Sequence, residues 1–262
     1  MKYYLGLQIG HIEYGKIVST KGTYNTLFSY ADCQDADKTI KYIAQFSKHS
    51  LIIDSGAFSA WNTGKVIDFR ELLSFYKKII AFRPDINLIN FDVIPARRGV
   101  KPTTQDIYNA CEQSLNNYRQ FKREGLNVLP VFHQHDDFKY LEIYKQETDY
   151  ICISPSNDCS TNERILWLDR VYSNLKADYK THSLAGTSLK LLERYPFYSC
   201  DSINWKAPVM FGRSITNLHI PNTMFSTKQT RKLLLEQEIN YYLKLQSDIT
   251  NLWEKRGVKW QN

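Results

Sequence analysis

Short apolar segments alternate along the chain with longer amphipathic or charged segments. This alternation is typical of strands that are followed by helices around a parallel sheet. It predicts eight strands, whose bounds are Tyr3–Ile9, Thr26–Tyr30, Leu51–Asp54, Asn87–Val93, Val128–His133, Tyr150–Ser154, Thr181–Leu184 and Ser199–Ile203.

Helical patterns separate most of these strands, although residues 10–22 show none. Eight strands with intervening helices in about 250 residues have the size and rhythm of a (β/α)8 TIM barrel, which we favour over an open doubly wound sheet. No linker or internal repeat interrupts the pattern, so we expect one domain over residues 1–262. The predicted helices are Lys38–Phe46, Phe69–Phe82, Thr104–Glu124, Phe138–Glu147, Glu163–Lys176 and Ser188–Arg194.

The chain after the eighth strand is predicted to be irregular over residues 204–225 and then helical over Thr227–Glu254, with Ser226 as the N-cap. We expect the apolar stripe of this long helix to pack on the barrel wall, with a dimer helix or a membrane-surface helix as the alternative. The stripe consists of Leu233, Leu234, Ile239, Tyr242, Leu245 and Ile249.

The composition fits a protein of 262 residues with 43% hydrophobic content, which is enough for a large core. The formal net charge of +7, with Lys and Arg spread along the chain, suits a surface that meets a polyanion. No run approaches the roughly 18 apolar residues of a membrane span, and the start MKYYLGLQIGH lacks a signal-peptide pattern. The sequence therefore predicts a cytoplasmic protein that does not enter membranes.

The five cysteines include no C-x-x-C pair, which argues against a disulfide framework and a zinc knuckle. We expect reduced thiols, no metal and no cofactor.

Polar residues stand where the predicted strands end. In a parallel barrel all strand C-termini lie at one mouth, so three carboxylates and two imidazoles are expected to share one pocket. Buried acids are costly unless they are paired or used in chemistry. These strand-end residues are Asp54, Asp92, His133, Ser154, Ser156, His182, Gly186 and Asp201.

Each of these residues also has a structural alternative. Asp54 could cap the next helix, and Asp92 could pair with Arg97 or Arg98. His133 could be a core histidine, and the two serines could be turn residues.

An ordered set of motifs resembles the tRNA-guanine transglycosylase superfamily and covers roughly Ile52 to Trp205. Within it the chain looks most like the DpdA-type 7-deazaguanine DNA transglycosylases of phages and bacterial DNA-modification clusters. The motifs are DSGAF at 54–58, FD followed by P at 91–95, the strand-end His133, ISPS at 153–156, HSLAGTS at 182–188 and SCDS at 199–202.

The resemblance implies a base exchange in which guanine leaves its sugar and a 7-deazaguanine, such as 7-cyano-7-deazaguanine, enters. It implies that Asp201 is the nucleophile, that Asp54 is the general acid and base, and that Asp92 reads the base. It also implies a DNA partner in a bacterial cell, where the chain could be phage-encoded. The alternatives are the same exchange on tRNA, a barrel glycoside hydrolase that uses Asp54 and Asp201 on a small nucleoside or sugar, and a non-catalytic nucleic-acid-binding barrel. A homodimer is left open.

The chain departs from the superfamily in three places. No cysteine follows Cys200, so the zinc subdomain of the queuine-type enzymes is missing. The glycine pair that usually follows the family's aspartate-serine is Gly56-Ala57 here, and His133 stands where the tRNA enzymes tend to have glutamine.

The chemistry supports the same roles independently. Displacing a purine from C1′ builds positive charge on the sugar, which a carboxylate on the opposite face can stabilise and bond. An ionised Asp92 accepts from the two neighbouring donors of guanine, which adenine lacks. Phe58 could stack on the base or belong to the core. The other predicted substrate-binding residues are Ser55, His133, Ser154, Ser156, His182 and Gly186.

A target base in a duplex would have to flip out to reach the barrel mouth. Trp205, together with Trp61, could wedge or stack on the nucleic acid, or pack in the barrel rim. The candidate phosphate contacts, each of which could also be plain surface, are Arg97, Arg98, Lys101, Lys206 and Arg213.

Overall fold

The computed structural model of the chain describes residues 1–9, 15, 25–96, 99–156, 158–211 and 228–260. It has the predicted α/β architecture, a nearly closed parallel TIM-like barrel with helices around it and a long C-terminal helix. The strand bounds are β1 Lys2–Gly6, β2 Asn25–Ser29, β3 Ser50–Asp54, β4 Asn87–Ile89, β5 Val128–Leu129, β6 Val131–His133, β7 Tyr150–Ser154, β8 Lys180–Ser183 and β9 Ser199–Ser202. In the sheet the strands lie in the order β5-β4-β3-β2-β1-β9-β8-β7-β6.

The fifth predicted strand forms both β5 and β6, because Pro130 divides it. Proline has no N–H to donate to a neighbouring strand. The two residues before Pro130 pair with β4, whereas the three residues after it pair with β7. The Pro130 carbonyl accepts a hydrogen bond from Cys152 N–H at 2.8 Å. This one segment therefore connects the two edge strands of the sheet and brings the barrel close to closure.

The helices surround the barrel with bounds close to the predicted ones. Two of them were not predicted. Ala57–Thr63 (α2) is only seven residues long, and Ala207–Phe211 (α8) lies in the stretch expected to be irregular. Both are too short to show a helical period. The bounds are α1 Ala36–Ile43, α2 Ala57–Thr63, α3 Phe69–Phe82, α4 Thr104–Arg123, α5 Phe138–Glu147, α6 Thr161–Ser173, α7 Leu189–Arg194, α8 Ala207–Phe211 and α9 Lys228–Lys255.

Two apolar clusters separate the inside of the barrel from its wall. Leu51 and Ile53 belong to the larger cluster beneath the helices, whereas Ile52 belongs to a smaller one with Cys152. Side chains alternate between the faces of a strand, so Asp54 shares the inner face with Ile52. The same alternation sets the inner face of the other strands. On that face lie His133, Ser154, His182, Ser199 and Asp201.

The long helix α9 packs on the barrel, as predicted. The indole N–H of Trp253 donates to Leu192 O at 2.9 Å, and Gln246 Oε1 accepts from Tyr3 N–H at 2.7 Å. Leu233 was assigned to the packed stripe wrongly, because its side chain is exposed and Leu235 is buried instead. The proposed N-cap Ser226 lies outside the described residues. None of the helices in the described ranges is long and apolar enough to cross a membrane.

Candidate active site

The carboxylate of Asp54 is held at the end of β3 by two donors. Ser29, its register partner on β2, donates from Oγ to Asp54 Oδ2 at 3.1 Å. The Gly56 N–H donates to the same oxygen at 3.0 Å. Gly56 has a φ of 80°, and a Cβ there would lie 2.7 Å from Ala31 Cβ, so glycine is required. Asp54 is thus held by its own turn and is not the N-cap of α2, which is Gly56.

The carboxylate of Asp201 lies on β9 and receives a backbone N–H from the loop after β8. Ala185 N–H donates to Asp201 Oδ1 at 3.0 Å. Ala185 has a φ of 52°, a left-handed conformation that is rare for a residue with a Cβ. Ser183 Oγ donates to Gly186 O at 3.2 Å and closes the same turn. His182 Nε2 lies 3.3 Å from Asp201 Oδ1.

The carboxylate of Asp92 follows β4 on a loop that helix α4 supports. Asn90 donates its side-chain amide to Ser114 O, and Asn117 donates to Phe91 O. Ser114 Oγ accepts from Val93 N–H at 2.8 Å. Polar residues are normally rare on the buried face of a helix. Here they hold the chain in place before and after Asp92.

His133 is the partner of Asp92, at 2.8 Å between Nε2 and Oδ2. Asp136 Oδ2 accepts from the backbone N–H of His133 at 2.8 Å. Burial alone would lower the pKa of His133, but the hydrogen bond to Asp92 and the charge of Asp136 raise it overall. The hydrogen bond from His133 thus compensates the buried carboxylate of Asp92. The alternative partners, Arg97 and Arg98, lie outside the described residues.

The three carboxylates interact electrostatically. Burial raises the pKa of Asp54 to about 7, with a further contribution from Asp92 and a smaller one from Asp201, against the hydrogen bonds from Gly56 and Ser29. Burial also raises the pKa of the Cys152 thiol, and the charges of the same three carboxylates raise it further. Cys152 lies inside the barrel, so the three carboxylates converge around the barrel axis. The raised pKa allows Asp54 to carry a proton near neutral pH.

The turn after β7 follows Ser154, which is the register partner of His133. Ser154 O accepts from Gln134 N–H at 3.1 Å, and the Gln134 side chain accepts from Ser156 N–H at 3.0 Å. Both serines and Gly186 are partly exposed at the mouth. Ser156 Oγ accepts from Asp158 N–H, which is the turn role left open by the sequence.

Besides Asp92 and His182, three predicted contact residues are buried. Ser55 is fully buried, and its hydroxyl accepts from Ala57 N–H, so it shapes the turn after β3. Trp205 is 0% exposed and donates its indole N–H to Gly6 O at 3.0 Å, which makes it a core residue and not a nucleic-acid contact. Lys206 is 2% exposed, and burial lowers its pKa. A buried ammonium cannot reach a phosphate, so this assignment is wrong as well.

Other predicted contact residues are accessible. Phe58 is 52% exposed and lies against Trp61 with ring centroids 5.8 Å apart, so it is not a core phenylalanine. Trp61 donates its indole N–H to Ala96 O at 2.8 Å, which ties α2 to the loop after β4. Lys101 is exposed just before α4. Arg213, like Arg97 and Arg98, lies outside the described residues.

Sequence reasoning missed several residues of this site. Ser29 ends a strand, so the rule that identified Asp54 applied to it equally. Asp136 stands in HQHDD three residues after His133, and Tyr150 and Ser199 lie deeper inside the barrel, at the starts of β7 and β9. Within the described ranges no three His, Cys, Asp or Glu side chains form a group that could hold a metal ion.

A scan against protein-family models gives no match for this chain, and a search of the curated proteins gives no match either.

Proposed function

We propose that this chain is a base-exchange transglycosylase that replaces guanine in DNA with a 7-deazaguanine base through a covalent aspartyl-sugar intermediate. One observation carries the proposal: three acidic side chains converge in one barrel mouth and differ in their hydrogen bonds. Asp201 is held through Oδ1, Asp54 through Oδ2, and Asp92 is paired with His133. Such a division suits one nucleophile, one proton carrier and one base reader.

The first half of the reaction releases guanine. Asp201 attacks C1′ and forms an O–C1′ bond while the C1′–N9 bond breaks with its electron pair on the purine. Asp54 gives its proton to the departing base. The pKa of about 7 keeps a useful fraction of Asp54 protonated at neutral pH.

The second half reverses these steps with the new base. The ionised Asp54 takes the N9 proton of the incoming 7-deazaguanine, whose nitrogen attacks C1′ and releases the Asp201 carboxylate. The anomeric configuration is retained after two displacements.

Asp92 supplies base selection in this scheme. Its carboxylate accepts from the N1–H and the exocyclic amine of guanine, which adenine does not present as a pair. His133 already binds Oδ2, which fixes the rotamer of the carboxylate before the base arrives. Phe58 lies exposed near the start of α2, just beyond Asp54, and is available to stack on the base.

The test is release of labelled guanine from DNA and, in parallel, from tRNA, in the presence of unlabelled 7-cyano-7-deazaguanine. We expect release from DNA by the wild-type protein and none by Asp201→Asn. Release from tRNA alone would keep the chemistry and change the polymer. A folded wild-type protein that releases no base from either polymer would refute the proposal and favour a non-catalytic binding barrel.

A further inference from the structure

A row of hydrogen bonds runs from the Asp201 region into the barrel. His182 is fully buried on β8, and its Nδ1 lies 2.6 Å from Ser199 Oγ. Ser199 Oγ lies 2.6 Å from the hydroxyl of Tyr150, which is also buried. The edge of the His182 ring packs against Tyr4, with centroids 5.8 Å apart. The imidazole therefore has a fixed place beneath Asp201.

The direction in which these hydroxyl groups donate decides whether His182 presents an N–H or a lone pair to Asp201. Ser199 has a single hydroxyl proton. If Tyr150 donates to Ser199 and Ser199 donates to Nδ1, the neutral imidazole carries its proton on Nε2, which lies 3.3 Å from Asp201 Oδ1. The reverse direction would leave a lone pair on Nε2 facing the carboxylate.

The surroundings of Nε2 favour the first direction. Nε2 is buried, and no side chain or backbone group of the described ranges is in hydrogen-bond geometry with it. A buried N–H beside a carboxylate gains a charge-assisted bond after a small rotation, whereas a buried lone pair there is repelled. Bonds in catalytic sites are often long before the substrate binds.

We propose that His182 is a positioning residue for Asp201, fixed by Ser199 and Tyr150 with its proton on Nε2, so that Oδ1 is held and Oδ2 is presented to the sugar. The Ala185 N–H, in the loop after β8, donates to the same Oδ1 at 3.0 Å. Both fixed donors thus point to one oxygen. This revises the predicted role of His182 as a substrate contact.

The consequence for catalysis depends on the proposed function. Oδ2 forms the bond to C1′ as the purine leaves with the bonding electron pair and the Asp54 proton. Oδ1 then becomes the carbonyl oxygen of the ester and still accepts from Ala185 and His182. Geometry held throughout both halves of the exchange lowers the cost of reaching each transition state.

The first test does not need activity. Nitrogen-15 NMR at pH 8 reports which ring nitrogen carries the proton, and the His182→Gln spectrum identifies the His182 signals among the six histidines. We expect His182 as the neutral Nε2–H tautomer in the wild type and a mixture of tautomers in Ser199→Ala. The Nδ1–H tautomer or an imidazolium in the wild type would overturn the proposal, as would an unchanged tautomer in Ser199→Ala.

The second test uses two amides of different length. The Gln amide nitrogen reaches the position of Nε2, whereas the shorter Asn side chain reaches only that of Nδ1. We expect His182→Asn to lower kcat for guanine release roughly 10- to 100-fold with little change in KM, which is the size of one lost charge-assisted hydrogen bond. His182→Gln should recover most of that loss.

A matched control separates positioning from simple loss of a buried imidazole. His49 is a buried histidine at the opposite end of the barrel, before β3, and His49→Asn should leave kcat unchanged. Equal kcat values for His182→Gln and His182→Asn would overturn the positioning role. A wild-type protein that releases no base would refute the proposed function, while the NMR result would still decide the tautomer.

Discussion

His133 Nε2 and Asp92 Oδ2 are 2.8 Å apart, and the imidazole compensates a carboxylate that is 7% exposed. The pairing joins the loop after β4 to the end of β6, and the two residues are 41 positions apart in sequence. It fixes the rotamer of the Asp92 side chain. The charge of His133 leads to a prediction about stability.

His133→Gln should destabilise the protein most at low pH. The pKa of His133 is raised in the folded state, so its stabilising effect is complete below the unfolded pKa of about 6.5 and is lost as the pH rises through the folded pKa. Urea unfolding of both proteins at pH 6 and pH 9 measures this. The difference in unfolding free energy should be larger at pH 6. An equal difference at the two pH values would show that His133 stabilises as a neutral residue.

The rate of guanine release should fall as the pH rises through about 7, because Asp54 must be protonated to donate to the departing purine. Single-turnover release from DNA measures this step alone. N7-methylguanine leaves as a neutral base and needs no proton. Its release should therefore depend less on pH and should survive in Asp54→Asn, which should lose guanine release. Equal losses for the two bases would contradict the acid role.

Gly56→Ala should cost more than Gly64→Ala, although both glycines flank α2 and have positive φ. A Cβ at Gly56 would lie 2.8 Å from the backbone nitrogen of Ala31, whereas nothing lies within 4 Å at Gly64. We expect losses in unfolding free energy of about 2–4 kcal/mol and about 1 kcal/mol respectively. Gly56→Ala should also lower the release rate, because Gly56 N–H holds Asp54. Similar losses at the two positions would show that the close contact with Ala31 does not constrain Gly56.

Lys101 and Lys206 should differ in nucleic-acid binding. Lys101 is exposed, so Lys101→Gln should lower the slope of log affinity against log salt concentration by about one. Lys206 is buried beside Trp205, with 5.9 Å between its ammonium and the indole ring, so Lys206→Gln should leave that slope unchanged. Binding titrations of DNA between 50 and 200 mM salt, a range in which phosphate contacts matter, make the comparison. Equal slopes for both variants and the wild type would remove Lys101 from the interface.

The sequence alone predicts the barrel because apolar runs of strand length recur regularly, and Tyr150–Ser154 and Phe138–Glu147 have the predicted bounds. It also predicts the strand-end carboxylates, since a parallel barrel collects all such ends. Trp205 and Lys206 were misassigned because local sequence does not reveal what covers a loop. Ala185 was missed as a donor because its left-handed backbone depends on contacts across the sheet.

Trapping the covalent intermediate tests the central claim most directly. The wild-type protein is incubated with a guanine-containing DNA oligonucleotide, quenched in denaturant and digested for mass spectrometry. We predict a DNA adduct on the peptide that carries Asp201, and no adduct with Asp201→Asn. An adduct on another residue, or base release by the wild type through a path that Asp201→Asn retains, would contradict the assignment of Asp201 as the nucleophile.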